Sequence, residues 1–373
     1  MTRPRIPQVR PTLDGREAEA AAQTIRDNWI TEGPASREFA RQLNALIDVP
    51  YGVFAPNGTL ALALGLMALG IGPGDEVIVP NMTFVGSATS VLLAGGTPVF
   101  VDVDGETFQI DVTAAERAVT ERTRAIMPVH LYGSACDMRA VSACAARHDL
   151  KIIEDAAQGI GVTFDGRPVG GLGDVGCFSF FADKTLTTGE GGYVTCRDPA
   201  IHDRLLLLRN QGRRDRGSFV HPAIGYNFRI TDVQAAIGLI QLTKLPSIIE
   251  RKQRIWQAYR RRFASAAGLR VLAPIAGSNY VPFRCVVITE HAPELTRHLE
   301  TCGIETRAVF YPLHRQPCFE ALRGHAPARF DDRQYPNSIG GAEQGLCLPV
   351  YPDLSDEEVD YVADAVLDFI AQQ

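Results

Sequence analysis

The chain has 373 residues and a formal net charge of −6, with 46% hydrophobic and 21% charged residues. Its length exceeds that of one average domain, and its composition is that of a folded globular protein rather than a disordered one. The negative charge argues against a nucleic-acid-binding protein, whose surface is usually basic. The longest apolar run, 60–71, is about half as long as a membrane crossing requires.

The cellular environment is predicted from the N-terminus and the cysteines. Residues 1–12 contain no apolar run typical of a secretory signal peptide. The eight cysteines include no C-x-x-C pair and are expected to be reduced, mostly buried thiols. No Cys/His cluster has metal-binding spacing, so we predict no metal site. These features together predict a cytoplasmic protein.

The first predicted element is a helix that begins near Asp14 and Glu17 and reaches Asn28. Residues 51–196 then alternate between short apolar runs and helical stretches. Several runs are continuous in hydrophobicity, which is typical of strands buried on both faces. This alternation predicts an α/β fold with a mainly parallel, seven-stranded sheet. The predicted strands are 51–55, 76–80, 97–101, 124–128, 151–154, 177–181 and 193–196. The predicted helices between them include 60–69, 86–93, 112–119 and 138–148.

The pattern changes after about residue 245. A long basic helix is predicted over 248–264, a strand over 283–289 and a helix over 293–301. Ser355 and Glu358 form a capping box before the last amphipathic helix. We therefore expect a large domain in residues 1–245 and a smaller α+β domain in residues 246–373.

A lysine with hydroxyl and glycine neighbours follows one of the buried strands. Lys184 comes just after the strand at 177–181 and precedes a Gly-rich turn that ends at Gly192. Lysines are seldom buried without a role, and one placed here could form a Schiff base with a carbonyl cofactor. An exposed loop lysine would fit this segment equally well.

Asp155 stands at the end of the predicted strand 151–154. Ligand-binding groups in open α/β sheets lie at the carboxyl ends of strands. A carboxylate there could pair with the protonated ring nitrogen of pyridoxal phosphate and keep that ring cationic. A helix N-cap is the alternative, and it fits the position just as well.

The segment Asn57-Gly58-Thr59 joins the first predicted strand of the sheet to an apolar helix. Free amides at a helix N-terminus bind phosphate, and a glycine permits close approach. A different glycine pattern, G-x-G-x-x-G at 171–176, matches the dinucleotide fingerprint by letter. That fingerprint must open a helix, whereas this one precedes a strand, so a nicotinamide cofactor is not expected.

In this order on one sheet, the three segments resemble fold-type I pyridoxal-phosphate enzymes. More narrowly, the chain resembles the DegT/DnrJ/EryC1/StrS family of nucleotide-sugar aminotransferases over nearly its whole length. Within the family, its motifs are similar to the perosamine-forming branch, although Gln158 stands where members of that branch can carry an acidic residue. The motifs that carry the family resemblance are 57–59, 80–84, 130–133, 154–158, 184–192, 225–231 and 305–314.

The resemblance implies roles for the cofactor-binding residues. Lys184 would bond covalently to pyridoxal phosphate and later move a proton, with pyridoxamine phosphate as the other form of the cofactor. Asp155 would hold the ring nitrogen, Gln158 would contact the ring or its 3′-oxygen, and Phe84 would stack on its face or simply pack in the core. The phosphate would be bound by Gly58, Thr59 and Ser179, beside Asn57. Asn227 would reach the phosphate of a neighbouring subunit, which implies at least a homodimer with shared sites.

The substrates implied are L-glutamate and a nucleotide-linked keto-sugar. Glu190, His130, Tyr311 and His314 are weaker candidates for the substrate side, since a lone histidine is more often structural. Arg213, Arg214 and Arg216 could meet a nucleotide diphosphate or simply be solvated.

Three other functions remain open at this stage. The acceptor could be a dTDP- or UDP-linked keto-sugar or a cyclitol ketone. A dehydratase branch of the family has histidine at the lysine position, so Lys184 argues against that reaction. The third function is that of a regulator that binds the cofactor without turnover. The presence of Lys184, Asp155 and the phosphate segment together argues against it.

Overall fold

The structure is a computed structural model that describes residues 5–214, 217 and 219–373. Its strands are β1 Tyr51–Ala55, β2 Glu76–Pro80, β3 Thr97–Val101, β4 Thr123–Ile126, β5 Lys151–Asp155, β6 Thr163–Phe164, β7 Arg167–Pro168, β8 Val175–Ser179, β9 Gly192–Cys196, β10 Arg270–Val271, β11 Cys285–Ile288, β12 Arg307–Ala308 and β13 Gly345–Leu348. Its α-helices are α1 Gly15–Arg26, α2 Pro34–Ile47, α3 Gly58–Ala68, α4 Gly86–Leu93, α5 Val112–Arg117, α6 Met138–His148, α7 Pro199–Arg209, α8 Asp232–Phe263, α9 Ala292–Thr301, α10 Glu320–His325, α11 Pro336–Gln344 and α12 Asp356–Ile370.

Seven strands form the main sheet, in the order β1-β9-β8-β5-β4-β2-β3. Strand β9 is antiparallel to both of its neighbours, and the remaining neighbouring strands pair in parallel. All strands except β9 therefore run in one direction, and the carboxyl ends of β1, β5 and β8 lie on the same edge. The predicted α/β fold with a seven-stranded, mainly parallel sheet is confirmed.

Both faces of this sheet are buried. Ile152 and Ile153 are consecutive in β5 but belong to different hydrophobic clusters, because successive side chains of a strand point to opposite faces. One cluster contains α2, and the other contains the apolar helix α3. The continuous apolar runs of the sequence thus reflect burial on both sides of the sheet.

Helix α8 is longer than predicted. It begins at Asp232 rather than at residue 248, with Thr231 and Gln234 forming its capping box, and it continues through Pro246. Proline in a helix interior costs about 3 kcal/mol, and here the packing of α8 against α1 and α2 offsets that cost. The Asp232 carboxylate also accepts hydrogen bonds from backbone N–H groups at the start of α2, including that of Gly33 at 2.7 Å. The domain boundary predicted at 245/246 falls inside this helix and stays a prediction.

A second, four-stranded sheet has the order β10-β11-β13-β12 and is antiparallel throughout. Strand β11 and helix α9 lie where a strand and a helix were predicted. Helix α12 begins at the predicted capping box of Ser355 and Glu358. Together with the second half of α8, α9 and α12 pack around one hydrophobic cluster. No helix of the described residues is long and apolar enough to cross a membrane.

Candidate active site

The carboxyl ends of β1, β5 and β8 open into one cavity of about 720 Å³. The strand directions explain this convergence, because the turns that follow the three strands meet at one edge of the sheet. The residues predicted for the site that line this cavity are Asn57, Gly58, Thr59, Phe84, Asp155, Gln158, Ser179, Glu190 and Lys184.

Lys184 lies in a tight turn that follows β8, where its N–H donates to the Phe181 carbonyl at 3.0 Å. Only 15% of its side chain is exposed, so the alternative of an exposed loop lysine is wrong. Its Nζ lies 4.4 Å from the centre of the Phe283 ring and 4.0 Å from Asp183 Oδ1. Burial lowers the pKa of Lys184, while the charges of Asp183 and Asp155 oppose that shift. A lowered pKa favours the neutral amine, which is the nucleophile in carbonyl chemistry.

Asp155 ends β5 and is 5% exposed. Its Oδ2 accepts a 2.7 Å hydrogen bond from Ser87 Oγ, and its Oδ1 accepts one from the Ala157 N–H at 3.1 Å. No helix begins after it, so the helix N-cap alternative is wrong. Burial raises the pKa of Asp155, and the Ser87 hydrogen bond works against that shift. A cation beside this carboxylate would favour its ionised form.

The N-terminus of α3 supplies unsatisfied amides to the cavity. Asn57 is the N-cap, and its side chain accepts the Leu60 N–H at 2.9 Å. Within the described part of the chain, the N–H groups of Gly58 and Thr59 have no hydrogen-bond acceptor. A Cβ added to Gly58 would lie 2.7 Å from Ser179 Cβ, so only glycine lets this turn pack against Ser179. Two free amides beside two hydroxyls suit a phosphate group.

Gln158 and the aromatic side chains form the walls. Gln158 Oε1 accepts the Tyr132 N–H at 2.6 Å, and among the described residues its amide nitrogen has no acceptor. Tyr132 stacks on Phe310, with ring centres 5.6 Å apart. Phe84 meets Phe310 edge to face and is 58% exposed, so the alternative that Phe84 packs in the core is wrong. A flat ring could lie against Phe84.

The structure places both predicted histidines outside the cavity. His130 is fully buried: its Nδ1 accepts the Cys136 N–H at 3.1 Å, and its Nε2 donates to Glu154 at 2.9 Å. His314 is also fully buried, and its ring nitrogens contact Asn81 and Asp332. Both ring nitrogens of each histidine therefore have hydrogen-bond partners within the protein and do not face the cavity.

Four further predicted residues also lie elsewhere. Tyr311 is exposed and lines a separate shallow surface pocket. Arg213 and Arg214 line a groove of about 940 Å³ beside α7. Asn227 is exposed and pairs with Asn210 through a backbone bridge. Arg216 lies outside the described residues.

The G-x-G-x-x-G segment at 171–176 belongs to a structural site. The backbone N–H groups of Gly170, Leu172 and Gly173 donate to the buried Glu154 carboxylate at 2.6–2.7 Å. The loop therefore surrounds a carboxylate of the chain itself. It precedes β8 rather than a helix, which confirms that the pattern is not a dinucleotide fingerprint.

The cavity residues that sequence reasoning missed include Ser87, Asp183, Arg284 and Arg307. Ser87 donates a hydrogen bond to Asp155, and Asp183 accepts one from Arg284. Arg307 lines the cavity and has no acidic partner within the described residues. Arg307 lies in the 305–314 motif, and the motif itself was the available signal. The position of Arg284 depends on how β11 meets the main sheet, for which the sequence has no local signal.

As a set, these groups suit a phosphorylated, cationic aromatic ring. Helix amides and hydroxyls lie at one end, a carboxylate and a lysine amine lie among the other lining groups, and an aromatic face stands beside them. Among the described residues, no group of three or more His, Cys, Asp or Glu side chains could hold a metal ion.

Comparison with known proteins agrees with this chemistry. The family model of the DegT/DnrJ/EryC1/StrS aminotransferase family matches residues 11–367. The chain is 38% identical to the GDP-perosamine synthase of Escherichia coli O157:H7, over 99% of each chain.

Two solved structures are similar throughout. One is the putative sugar aminotransferase Spr1654 from Streptococcus pneumoniae in its PMP form, with a TM-score of 0.93 and 30% identity over 99% of this chain and 98% of that one. The other is S. venezuelae DesV in complex with a ketimine intermediate, with a TM-score of 0.91 and 35% identity over 98% and 99%. The chain belongs to the DegT/DnrJ/EryC1/StrS family and is a pyridoxal-phosphate-dependent sugar aminotransferase.

Proposed function

We propose that this cavity binds pyridoxal phosphate through the residues that line it. The free amides of Gly58 and Thr59, with the Ser179 hydroxyl, would hold the phosphate. Asp155 would pair with the ring nitrogen, and the free amide nitrogen of Gln158 would donate to the 3′-oxygen. Phe84 would cover the ring. The unsatisfied amides and the tight contact between Gly58 and Ser179 support this assignment.

When bound, the cofactor supplies an electron sink for cleavage of the C–H bond at the amine-bearing carbon. The chain's own contribution is proton transfer and electrostatics. Lys184 would carry the proton between two carbons, and the decrease of its pKa by burial favours the neutral amine that accepts this proton. The Asp155 carboxylate would keep the ring nitrogen protonated by a charge-assisted hydrogen bond.

For the substrates, we infer that L-glutamate donates the amino group and leaves as 2-oxoglutarate, and that a nucleotide-linked keto-sugar accepts the group. The acceptor that we propose is GDP-4-keto-6-deoxymannose, which gives GDP-perosamine. The observation that carries this choice is the 38% identity to a GDP-perosamine synthase over 99% of both chains. Arg307 lines the cavity and has no acidic partner among the described residues, so its guanidinium suits an anionic substrate.

A competition between acceptors tests the substrate. The purified protein, loaded with pyridoxal phosphate, is incubated with L-glutamate and one keto-sugar linked to GDP, dTDP or UDP, or with a cyclitol ketone. We expect the GDP-linked 4-keto sugar to give the highest kcat/KM, with one 2-oxoglutarate formed per aminated sugar. A higher kcat/KM for another acceptor would identify that acceptor as the substrate and contradict the GDP-linked sugar. Formation of a dehydrated sugar without 2-oxoglutarate would show that the protein is a dehydratase and contradict amino transfer.

We also propose a homodimer in which Asn227 contacts the phosphate bound by the partner subunit. Asn227 is exposed and outside its own cavity, and the preceding segment presents the exposed apolar side chains of Phe219 and Ile224. Mixing inactive Lys184→Ala subunits with Asn227→Ala subunits tests this proposal. Shared sites predict recovered activity, because each mixed dimer would contain one intact site. No recovery, with mixed dimers present, would place Asn227 in its own subunit's site.

A further inference from the structure

Lys184 also lines a second, much smaller cavity. This cavity is distinct from the 720 Å³ cavity, which Asp155 and Phe84 line. Its volume is about 20 Å³, and it is enclosed by residues 8–12, the turn at 182–185 and helix α8. Asp183, Lys184, Arg284 and Phe283 line both cavities, so this group separates the two spaces. The proposed function uses Lys184 but assigns no role to Asp183.

The Asp183 carboxylate is held at one oxygen and free at the other. Its Oδ2 accepts a 2.6 Å hydrogen bond from Arg284, whose guanidinium also donates to Gln8. Its Oδ1 is buried, has no hydrogen-bond partner in the described structure and lies 4.0 Å from Lys184 Nζ. A buried carboxylate oxygen without a hydrogen-bond partner is destabilising, so a donor that reached Asp183 Oδ1 would be bound favourably.

A second buried lysine lies beside this carboxylate. Lys252 of α8 is 5% exposed, lines the small cavity and makes no hydrogen bond or ion pair with the residues that the structure describes. Burial lowers the pKa of Lys252 to about 7, with a further decrease from Arg284 and an opposing effect of Asp183. The Arg284 guanidinium therefore moderates the negative charge that Asp183 presents to Lys184, and Lys252 adds to this effect only when it is protonated. The other charged groups that line the two cavities are Arg10, Asp155, Glu190 and Arg307.

We propose that Asp183 is a positioning residue for Lys184: Arg284 fixes the carboxylate, and its free oxygen receives the protonated amine whenever Lys184 is released. This inference rests on the proposed function, in which Lys184 must carry a proton. The small displacement from 4.0 Å to a hydrogen bond would satisfy the unpartnered Oδ1 and hold the amine at the wall of the larger cavity. Asp183 thereby favours the protonated form of the Lys184 nitrogen.

Asp183→Asn tests the proposal, because it removes the charge and keeps an oxygen for Arg284. The readout is the pH titration of the visible absorption band of the Lys184-linked cofactor. The midpoint of that titration should fall by about one pH unit, since an opposite charge within about 4–6 Å shifts a pKa by roughly 1–3 units. In the cofactor-free protein, the pH dependence of Lys184 acylation by acetic anhydride should shift in the same direction. Asp368→Asn, the same change on the exposed face of α12, should shift neither.

Other outcomes separate the two proposals. An unchanged midpoint in Asp183→Asn, with the same thermal unfolding temperature as the unaltered protein, would overturn the role of Asp183. A lower unfolding temperature with an unchanged midpoint would do the same and leave Asp183 a purely structural residue. Failure of glutamate to discharge the band in the unaltered protein would contradict the proposed function, while the pH titration would still report on Asp183.

Discussion

Asp155 shows how a single side chain depends on its neighbours for its charge. It lies at the end of a buried strand, where desolvation raises its pKa, and yet the proposed pairing with a ring nitrogen requires the ionised carboxylate. The Ser87 hydroxyl donates to Asp155 Oδ2, and the Thr83 hydroxyl lies 2.9 Å from Ser87 Oγ. Because an ionised carboxylate only accepts, the Ser87 proton points to Asp155 and Thr83 must donate to Ser87. This short chain of hydroxyls prepares Asp155 to receive a cation.

Ser87→Ala removes the donor to Asp155. A hydrogen bond to a charged group is worth about 1.5–3 kcal/mol, so we expect pyridoxal phosphate to bind roughly 10- to 100-fold more weakly. The measurement is the dissociation constant from titration of the cofactor-free protein. Ser90→Ala is the matched control, because Ser90 lies in the same helix and donates only to the Ser87 carbonyl. Equal affinities for Ser87→Ala and the unaltered protein would contradict this role of Ser87.

Individual residues also show what a sequence can reveal about a site. Lys184 and Asp155 could be predicted because each lies at or just beyond the end of a strand whose direction places that end at the ligand-binding edge. His130 could not be excluded, because its partner Glu154 is 24 positions away and comes near it only through the pairing of neighbouring strands. Arg284 and Arg307 enter the cavity from outside the main sheet; the 305–314 motif could have indicated Arg307, but no local pattern in the sequence indicates the approach of Arg284.

Among the elements, the start of α3 carries the phosphate end of the proposed site. Its geometry depends on contact between Gly58 and Ser179, the last residue of β8. Gly15 is also the first residue of a helix, α1, but a Cβ there would meet nothing within 4 Å. Comparing alanine substitutions at Gly58 and Gly15 therefore distinguishes an effect on the cavity from a general effect of replacing a glycine at the start of a helix.

Gly58→Ala should force α3 away from Ser179, because the added Cβ would lie 2.7 Å from Ser179 Cβ. We expect a loss of at least tenfold in affinity for pyridoxal phosphate, which corresponds to about 1.4 kcal/mol. Gly15→Ala should leave that affinity unchanged. Calorimetric titration of both cofactor-free variants measures the difference. A similar loss in Gly15→Ala, or none in Gly58→Ala, would contradict a phosphate site at this helix start.

The elements that sequence patterns predicted best were those with a short continuous apolar run or a clear helix cap. The strands of the main sheet and helix α12 are of this kind. Helix α8 was predicted too short because Pro246 normally ends a helix, whereas its first half is stabilised by α1 and α2, which are distant in sequence. Helix α2 was missed because its N-cap is Gly33, which has no capping side chain, and its N–H groups are capped instead by Asp232.

For the whole molecule, the buried amine of Lys252 couples stability to pH. Its pKa is lowered to about 7, so between pH 7 and its ordinary value the unfolded chain binds a proton that the folded chain does not. The Lys252 contribution to stability therefore falls as the pH decreases through this range. Lys252→Met should raise the free energy of unfolding near pH 7 by on the order of a few kcal/mol, with the gain vanishing toward pH 10.5.

Denaturant unfolding of cofactor-free protein at several pH values measures this difference between Lys252→Met and the unaltered chain. Lys151→Met serves as control, because the Lys151 side chain is 54% exposed. A destabilised Lys252→Met protein whose difference from the unaltered chain does not vary with pH would show that Lys252 is charged and paired in the folded state.

In the proposed reaction, Lys184 and a bound pyridoxal phosphate take the amino group from L-glutamate. The most direct measurement is the absorption spectrum of the purified protein before and after L-glutamate is added. We predict a long-wavelength band that glutamate converts to the pyridoxamine phosphate spectrum and that Lys184→Ala lacks. A cofactor band that does not respond to glutamate, or no band after reconstitution with pyridoxal phosphate, would contradict the account.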